Sequence, residues 1–127
     1  MSDEIRFDQA DILATLEAMD QPALDALNFG VIGFDAEMRV QRYNAFESRA
    51  AGLSPERVLD QHLFLVVAPC LNNYLVAQRF DDARAEATAL DDTIPYVLTL
   101  RMRPTKVHLR LLSQPGAAHD YLLVHRL

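Results

Sequence analysis

Three residues with chemically active side chains lie in two short stretches of this 127-residue chain. Tyr43 and Glu47 lie four residues apart in RYNAFE, and Cys70, the only cysteine, ends VAPC. If the first stretch is helical, this spacing places the phenol and the carboxyl side by side. In an apolar pocket, burial keeps a carboxyl protonated, and two O–H donors on one face suit an anionic oxygen. The alternative is a partly exposed glutamate on a helix, beside a tyrosine whose ring packs at a strand end.

The thiol also allows two interpretations. Cys70 follows an apolar run, so it is either a small buried residue or a nucleophile or covalent attachment point, which requires thiolate character. A cysteine hydrolase needs an aligned histidine, and the spacing of the four histidines nominates none. The same scatter makes a poor metal site, and phosphate-loop, dinucleotide and zinc-protease motifs are absent from the sequence. The sequence therefore predicts a protein that is not an enzyme.

Composition restricts the partners and the compartment. Half of the residues are hydrophobic and the net charge is -6, which argues against nucleic acid or an anionic membrane as partner. A single cysteine gives no support for an oxidising compartment. The N-terminus, MSDEIRF, is acidic where a secretory signal is basic, and no apolar run approaches the ~20 residues of a membrane span. We therefore expect a cytoplasmic protein, and a monomer by default.

Hydrophobic periodicity predicts the elements that must position these residues. Helices are expected over 9–20, through Leu24 and Leu27, around 44–51, after Ser54, and from Val76 to Leu90 with its end at Asp91-Asp92. Strands are expected over 29–34, 38–43, 96–103, 106–111 and 121–127. Short links between consecutive strands predict antiparallel hairpins, and strands separated by helices predict an α+β fold class. Helices over one face of one antiparallel sheet would leave a pocket between sheet and helices.

Together the motifs resemble those of the photoactive yellow protein family, light sensors with the PAS fold. YNAFE is similar to the family's YNAAE-type motif, and VAPC to its cysteine motif. RFDQADILATLEAMD and ALDALNFGVI resemble its N-terminal cap and first strand, while PTKV and VHRL resemble its last two strands. The resemblance implies a five-stranded antiparallel sheet flanked by helices. It also implies a helical cap over residues 1–28 and a PAS core over residues 29–127, in one domain overall.

The resemblance further implies a blue-light photoreceptor. Its chromophore would be p-coumaric acid (4-hydroxycinnamic acid), held as a thioester on Cys70, with its phenolate oxygen bonded by Tyr43 and Glu47. Glu47 would be neutral in the dark and would pass its proton to the phenolate after light isomerises the chromophore's double bond. An ionised carboxylate in an apolar site is costly, so the pocket would loosen and the cap would detach, as a signal to a downstream protein.

Three positions depart from the family's pattern. Ala51 stands where the family usually has a threonine that supports the tyrosine hydroxyl, and Leu53 where its best-known members have an arginine over the pocket. Leu63 stands where an aromatic residue is expected. We therefore expect a shifted absorption maximum or altered recovery kinetics. Unchanged absorbance and recovery in Ala51→Thr would count against that expectation.

These departures keep a second interpretation open. The chain would then be a PAS-type module that binds another small ligand or a protein partner, with Cys70 merely packed. Two further residues, Tyr96 and Met102, fall on a predicted strand and either line the pocket or belong to the core.

Overall fold

The computed structural model describes residues 5–99 and 103–127. The helices are α1 (Ile12–Ala18), α2 (Gln21–Asp25), α3 (Ala45–Ala51), α4 (Pro55–Val58) and α5 (Ala77–Glu86). A π-helical turn (Leu63–Val67) and a 3-10 turn (Pro69–Leu71) lie between α4 and α5. The strands are β1 (Gly30–Phe34), β2 (Val40–Tyr43), β3 (Leu90–Leu98), β4 (Thr105–Ser113) and β5 (Asp120–Arg126). Met102 and its neighbours Leu100 and Arg101, which the sequence places on a strand, lie outside the described residues.

The five strands form one sheet in the order β2-β1-β5-β4-β3. Every neighbouring pair is antiparallel. The last strand of the chain, β5, therefore lies at the centre of the sheet, between β1 and β4. This arrangement confirms the predicted α+β class and the five-stranded antiparallel sheet.

Alternation along the central strand gives the sheet two buried faces. Leu122 and Val124 point to one side of β5, whereas Tyr121 and Leu123 point to the other, as the strand period of two requires. The first side, called the site face, is covered by α4, α5 and the two turns. The second side, called the cap face, is covered by α1, α2 and the rest of residues 5–28, called the cap. The sequence predicted helices over one face and did not indicate where the cap packs.

Two arginines on the sheet hold the cap by its main chain. Arg42 on β2 and Arg110 on β4 both reach the cap face, and a guanidinium offers several N–H donors in a fixed geometry. Their terminal nitrogens donate to the carbonyl oxygens of Phe7, Gln9, Leu16 and Met19. The cap is thus attached by charge-assisted hydrogen bonds as well as by its apolar helices.

A carboxylate in the cap completes this attachment. Glu17 on α1 accepts a hydrogen bond from the Tyr121 hydroxyl at 2.6 Å and lies 2.8 Å from Nδ1 of His119. Burial raises the pKa of Glu17, but the hydrogen bonds from Tyr121 and His119 together outweigh it, so the pKa is lowered overall. Glu17 is therefore stabilised in its ionised form by its contacts with the sheet.

Helix α5 is shorter than the sequence predicts. The predicted end at Asp91-Asp92 is wrong, because α5 ends at Glu86 and both aspartates belong to β3. Ala87 follows the helix in the left-handed conformation, with φ 52°, which ends the helical hydrogen-bond pattern. Asp91 instead makes a two-bond ion pair with Arg110 on the neighbouring strand.

Candidate functional site

Tyr43 and Glu47 lie on either side of a strand-to-helix junction. Tyr43 is the last residue of β2, and Asn44 caps α3 by accepting a hydrogen bond from the Glu47 N–H at 3.1 Å. The condition on which the helical-spacing argument depends is therefore not met, since only Glu47 belongs to the helix. Both residues are only 3% exposed, so the alternative of a partly exposed glutamate is also wrong.

Glu47 lies against a glycine and is bound by an arginine. Gly30 on β1 is paired with Val124 and therefore faces the site side, where an added Cβ would lie 2.0 Å from Oε1 of Glu47. Arg126, at the end of β5, donates from Nη1 to Oε1 at 2.8 Å and from Nη2 to Oε2 at 3.1 Å. Burial raises the pKa of Glu47, and the hydrogen bonds and charge of Arg126 only partly offset this. The carboxyl is paired and yet is protonated more easily than an ordinary glutamate.

The Tyr43 hydroxyl is a buried donor. It donates to the carbonyl oxygen of Leu53 at 3.1 Å, and Ser48 Oγ donates to the same oxygen at 2.8 Å. Burial raises the pKa of Tyr43, and the nearby charge of Glu47 raises it further. The hydroxyl therefore keeps its proton. In this chain its support comes from a main-chain carbonyl, while the side chain of Ala51 is an apolar buried methyl.

Cys70 belongs to the same part of the molecule. It lies in the 3-10 turn, is partly buried, and packs against the apolar cluster of the site face that includes Tyr43. The carbonyl oxygen of Cys70 accepts hydrogen bonds from the Tyr96 hydroxyl at 2.6 Å and from Nδ2 of Asn73 at 3.3 Å. Tyr96 on β3 thus fixes the segment that carries the thiol, by a polar contact that sequence reasoning did not identify.

A histidine shapes the segment before the thiol. Nδ1 of His62 accepts hydrogen bonds from the main-chain N–H groups of Phe64 and Leu65, each at 3.1 Å. These bonds cap the π-helical turn, a rare conformation that is frequent at functional sites. His62 therefore has a structural role. Within residues 5–99 and 103–127, no group of three or more His, Cys, Asp or Glu side chains could hold a metal ion.

The junction that carries Tyr43 and Glu47 is hydrogen bonded to the cap. Asn44 is fully buried, and its Nδ2 donates to the carbonyl oxygen of Leu24 at 3.0 Å. Two further bonds join α2 to this junction, Ala45 N–H to Asp25 at 2.7 Å and Gln21 Nε2 to the Tyr43 carbonyl at 2.9 Å. The cap face and the site face are therefore connected through one strand-to-helix turn.

Two residues of the site were missed in the sequence. Arg126 lies 79 positions from Glu47, and only the position of β5 at the sheet centre brings the two together. Gly30 carried a usable signal, because glycine inside a strand often marks a close approach by another group. In FGVIGF that group is the Glu47 carboxylate.

Comparison with known proteins identifies the family. Residues 24–126 match the family described as the PAS fold. The photoactive yellow protein of Halochromatium salexigens is 34% identical over 107 residues, which are 84% of this chain and 85% of the relative. The chain belongs to the photoactive yellow protein family. The photoactive yellow protein of Rhodothalassium salexigens is 33% identical, with the same shares covered.

Solved structures agree with this family. The photoactive yellow protein domain of the sensor histidine kinase Ppr from Rhodospirillum centenum has a TM-score of 0.81 and 32% identity, over 89% of this chain and 98% of that domain. The PAS domain of nitrogen regulation protein NR(II) from Vibrio parahaemolyticus, 15% identical with a TM-score of 0.55 over 86% of this chain and 98% of that one, shares the fold. The predicted family and fold are confirmed. Among the described residues, no helix is long and apolar enough to cross a membrane.

Proposed function

We propose that this member of the photoactive yellow protein family is a blue-light photoreceptor that carries p-coumaric acid as a thioester on Cys70. Tyr43 and Glu47 would donate to the phenolate oxygen. One observation carries the proposal: a buried phenol and a buried carboxyl, both with raised pKa, lie on the sheet face against which the thiol packs. Family membership supports it independently.

The side chains fit this group by their chemistry. A partly buried thiol can form the thioester, the phenol of Tyr43 and the carboxyl of Glu47 in its protonated state can stabilise an anion, and the apolar cluster excludes water. When bound, p-coumaric acid would supply the visible absorption and the light-driven isomerisation of its double bond. Tyr43 can turn its O–H toward another acceptor without leaving Leu53 unsatisfied, since Ser48 still donates to that carbonyl.

Glu47 would convert the absorption of light into a change of charge. Its carboxyl would be the group that releases a proton, and loss of that proton would leave a carboxylate at a position that is 3% exposed. A buried charge is costly, and the α3 N-terminus that carries it is bonded through Asn44 to α2. We therefore propose that the cap loosens from the core, residues 29–127. An unidentified downstream signalling protein would recognise the loosened state.

A second candidate is a PAS-type sensory module that binds another small ligand or a protein and carries no chromophore. One observation favours it: both donors already have partners within the protein, Leu53 for Tyr43 and Arg126 for Glu47. Such a site is satisfied without any ligand. Neither candidate is an enzyme.

Absorption spectra of the protein after reconstitution with activated p-coumarate separate these candidates. Glu47→Gln replaces the acid by an amide of nearly equal shape, which is a weaker donor and has no proton to release. The photoreceptor proposal predicts a shifted visible band in Glu47→Gln and an unshifted band in the exposed control Glu56→Gln. A visible band that is the same in both variants and the parent protein would contradict the roles of the two donors. A protein that stays colourless would favour the second candidate.

A further inference from the structure

The ion pair between Arg126 and Glu47 is the feature of the site that the proposed function does not use. Each of the two terminal guanidinium nitrogens of Arg126 contacts one carboxylate oxygen of Glu47, at 2.8 Å and 3.1 Å. This two-bond geometry is the strongest that an arginine makes with a carboxylate. It is also specific for the ionised acid. A protonated carboxyl carries no charge, and its O–H oxygen is a poorer hydrogen-bond acceptor than a carboxylate oxygen.

The pair and the proposed proton donor are therefore two different states of Glu47. A carboxyl that donates to a phenolate must carry its proton, whereas a carboxyl held by Arg126 has lost it. Gly30 on β1 lies directly against the Glu47 side chain on one side. The Arg126 side chain is 19% exposed, so its guanidinium can contact water whenever it is not bound to Glu47.

We propose that Arg126 is the counter-ion that holds Glu47 in its ionised form, and that it captures the carboxylate once the proton has left. This inference rests on the proposed function for the identity of the proton acceptor. The proton that leaves Oε of Glu47 would be taken up by the chromophore's phenolate, and the guanidinium of Arg126 would balance the negative charge that remains on the carboxylate. Return of the proton neutralises the carboxyl and opens the pair. Arg126 is thus a positioning residue that sets the lifetime of the state with ionised Glu47.

The surroundings of Glu47 contain few competing charges. From β2, Tyr43 faces it as a protonated phenol, and from β5 only Arg126 contacts it within the described residues. On α3 itself Arg49 is exposed to solvent, which screens its charge. The opposite face of β5 belongs to a different environment, because the His125 ring lies 5.3 Å from the Phe7 ring of the cap. The protonation of Glu47 is therefore governed mainly by its burial and by Arg126.

Infrared titration of the protein without chromophore tests the pair directly. The carboxylic C=O band of Glu47, assigned by its loss in Glu47→Gln, is followed against pH in the parent protein and in Arg126→Gln. We expect the band to persist to higher pH in Arg126→Gln. Arg126→Lys keeps the positive charge but cannot make the two-bond contact, so in this variant Glu47 should titrate between its positions in the parent protein and in Arg126→Gln. This variant also provides a result if Arg126→Gln does not fold. The matched control Arg49→Gln should titrate like the parent protein.

Recovery after a blue flash provides a second readout in the reconstituted protein. We expect Arg126→Gln to recover about tenfold faster or more, since an adjacent opposite charge changes a carboxyl's proton affinity by at least that factor. A Glu47 titration that is the same in Arg126→Gln as in the parent protein would overturn the inference. An equal shift in Arg49→Gln would also overturn it, because the effect would then be general electrostatics. If no variant takes up chromophore, the proposed function fails, and the titration alone still decides whether Arg126 sets the charge of Glu47.

Discussion

Gly30→Ala should destabilise the protein through one contact, with the Glu47 carboxylate. The new Cβ would lie 2.0 Å from Oε1 and 3.0 Å from Cδ of Glu47, distances at which the carboxyl must move. Movement is restricted, because the same carboxyl is held at 2.8 Å by Arg126. Alanine therefore forces a choice between a steric clash and a weakened ion pair.

The magnitude follows from these two costs. Overpacking in a core costs about 1–3 kcal/mol, and breaking a buried ion pair costs about 3–5 kcal/mol when one charge is left without a partner. Since Arg126 retains access to water, the lower ends of these two ranges apply, and we expect the free energy of unfolding to fall by about 3 kcal/mol. In the Glu47→Ala background the nearest remaining Glu47 atom is Cβ, at 3.3 Å from the new methyl. There the same substitution should cost less than about 1 kcal/mol, partly offset by the lower entropy of the unfolded chain.

Urea unfolding of the four proteins of this double-mutant cycle provides the assay. With a typical slope of about 1–3 kcal/mol per molar urea, Gly30→Ala should lower the midpoint by about 1–3 M in the parent background. Gly33→Ala is the control, since its Cβ would meet Tyr121 on the cap face, and its cost should not depend on residue 47. Equal costs of Gly30→Ala with and without the carboxylate would refute the placement of Glu47 against β1.

Three further predictions concern the cap and the thiol segment. Arg42→Gln removes the guanidinium that binds the carbonyl oxygens of Leu16 in α1 and of Met19, which follows it, and should cost about 2 kcal/mol, with amide exchange in α1 accelerated more than in β5. Equal acceleration in both elements would contradict a local anchor. Tyr96→Phe removes the 2.6 Å bond to the Cys70 carbonyl and should speed thiol labelling, whereas Tyr74→Phe, at a position 76% exposed, should not. Because the pKa of Glu17 is lowered from 4.5 by bonds that outweigh its burial, its contribution to stability is present above pH 4.5 and is lost as the pH falls through its folded pKa. Stability of Glu17→Gln should therefore fall less on acidification below pH 4.5, and an unchanged slope would contradict this.

Much of the fold could be predicted because its signals are local. Helical spacing at Ile12, Leu13 and Leu16 and the mostly apolar run of the last segment are visible in the sequence, and the structure buries these residues. The end of α5 could not be predicted, because the apolar Leu90 continues the helical spacing although it begins β3. The helix ends because the backbone of Ala87 is left-handed, a conformation that alanine does not favour and that its residue type therefore does not predict.

The sequence nominates candidate residues for the site but does not indicate their partners. The motifs selected Tyr43, Glu47 and Cys70, and the structure brings them to one face of the sheet. The partner of Glu47 depends on which strand lies beside β1, and that is a property of the whole topology. The support of the Tyr43 hydroxyl depends on a main-chain carbonyl, and any residue type at position 53 supplies one. Contacts of this kind cannot be read from side-chain types.

The most direct test of the proposed photoreceptor is the intact mass of the protein after mixing with activated p-coumarate, measured together with its visible spectrum. The proposal predicts a single coumaroyl adduct, absent in Cys70→Ser, and a visible band that bleaches under blue light and recovers in the dark. An adduct without a red-shifted band would contradict the role of Tyr43 and Glu47 in holding the anion. No adduct would contradict the thioester itself and would leave the chain as a PAS-fold module for another ligand or partner.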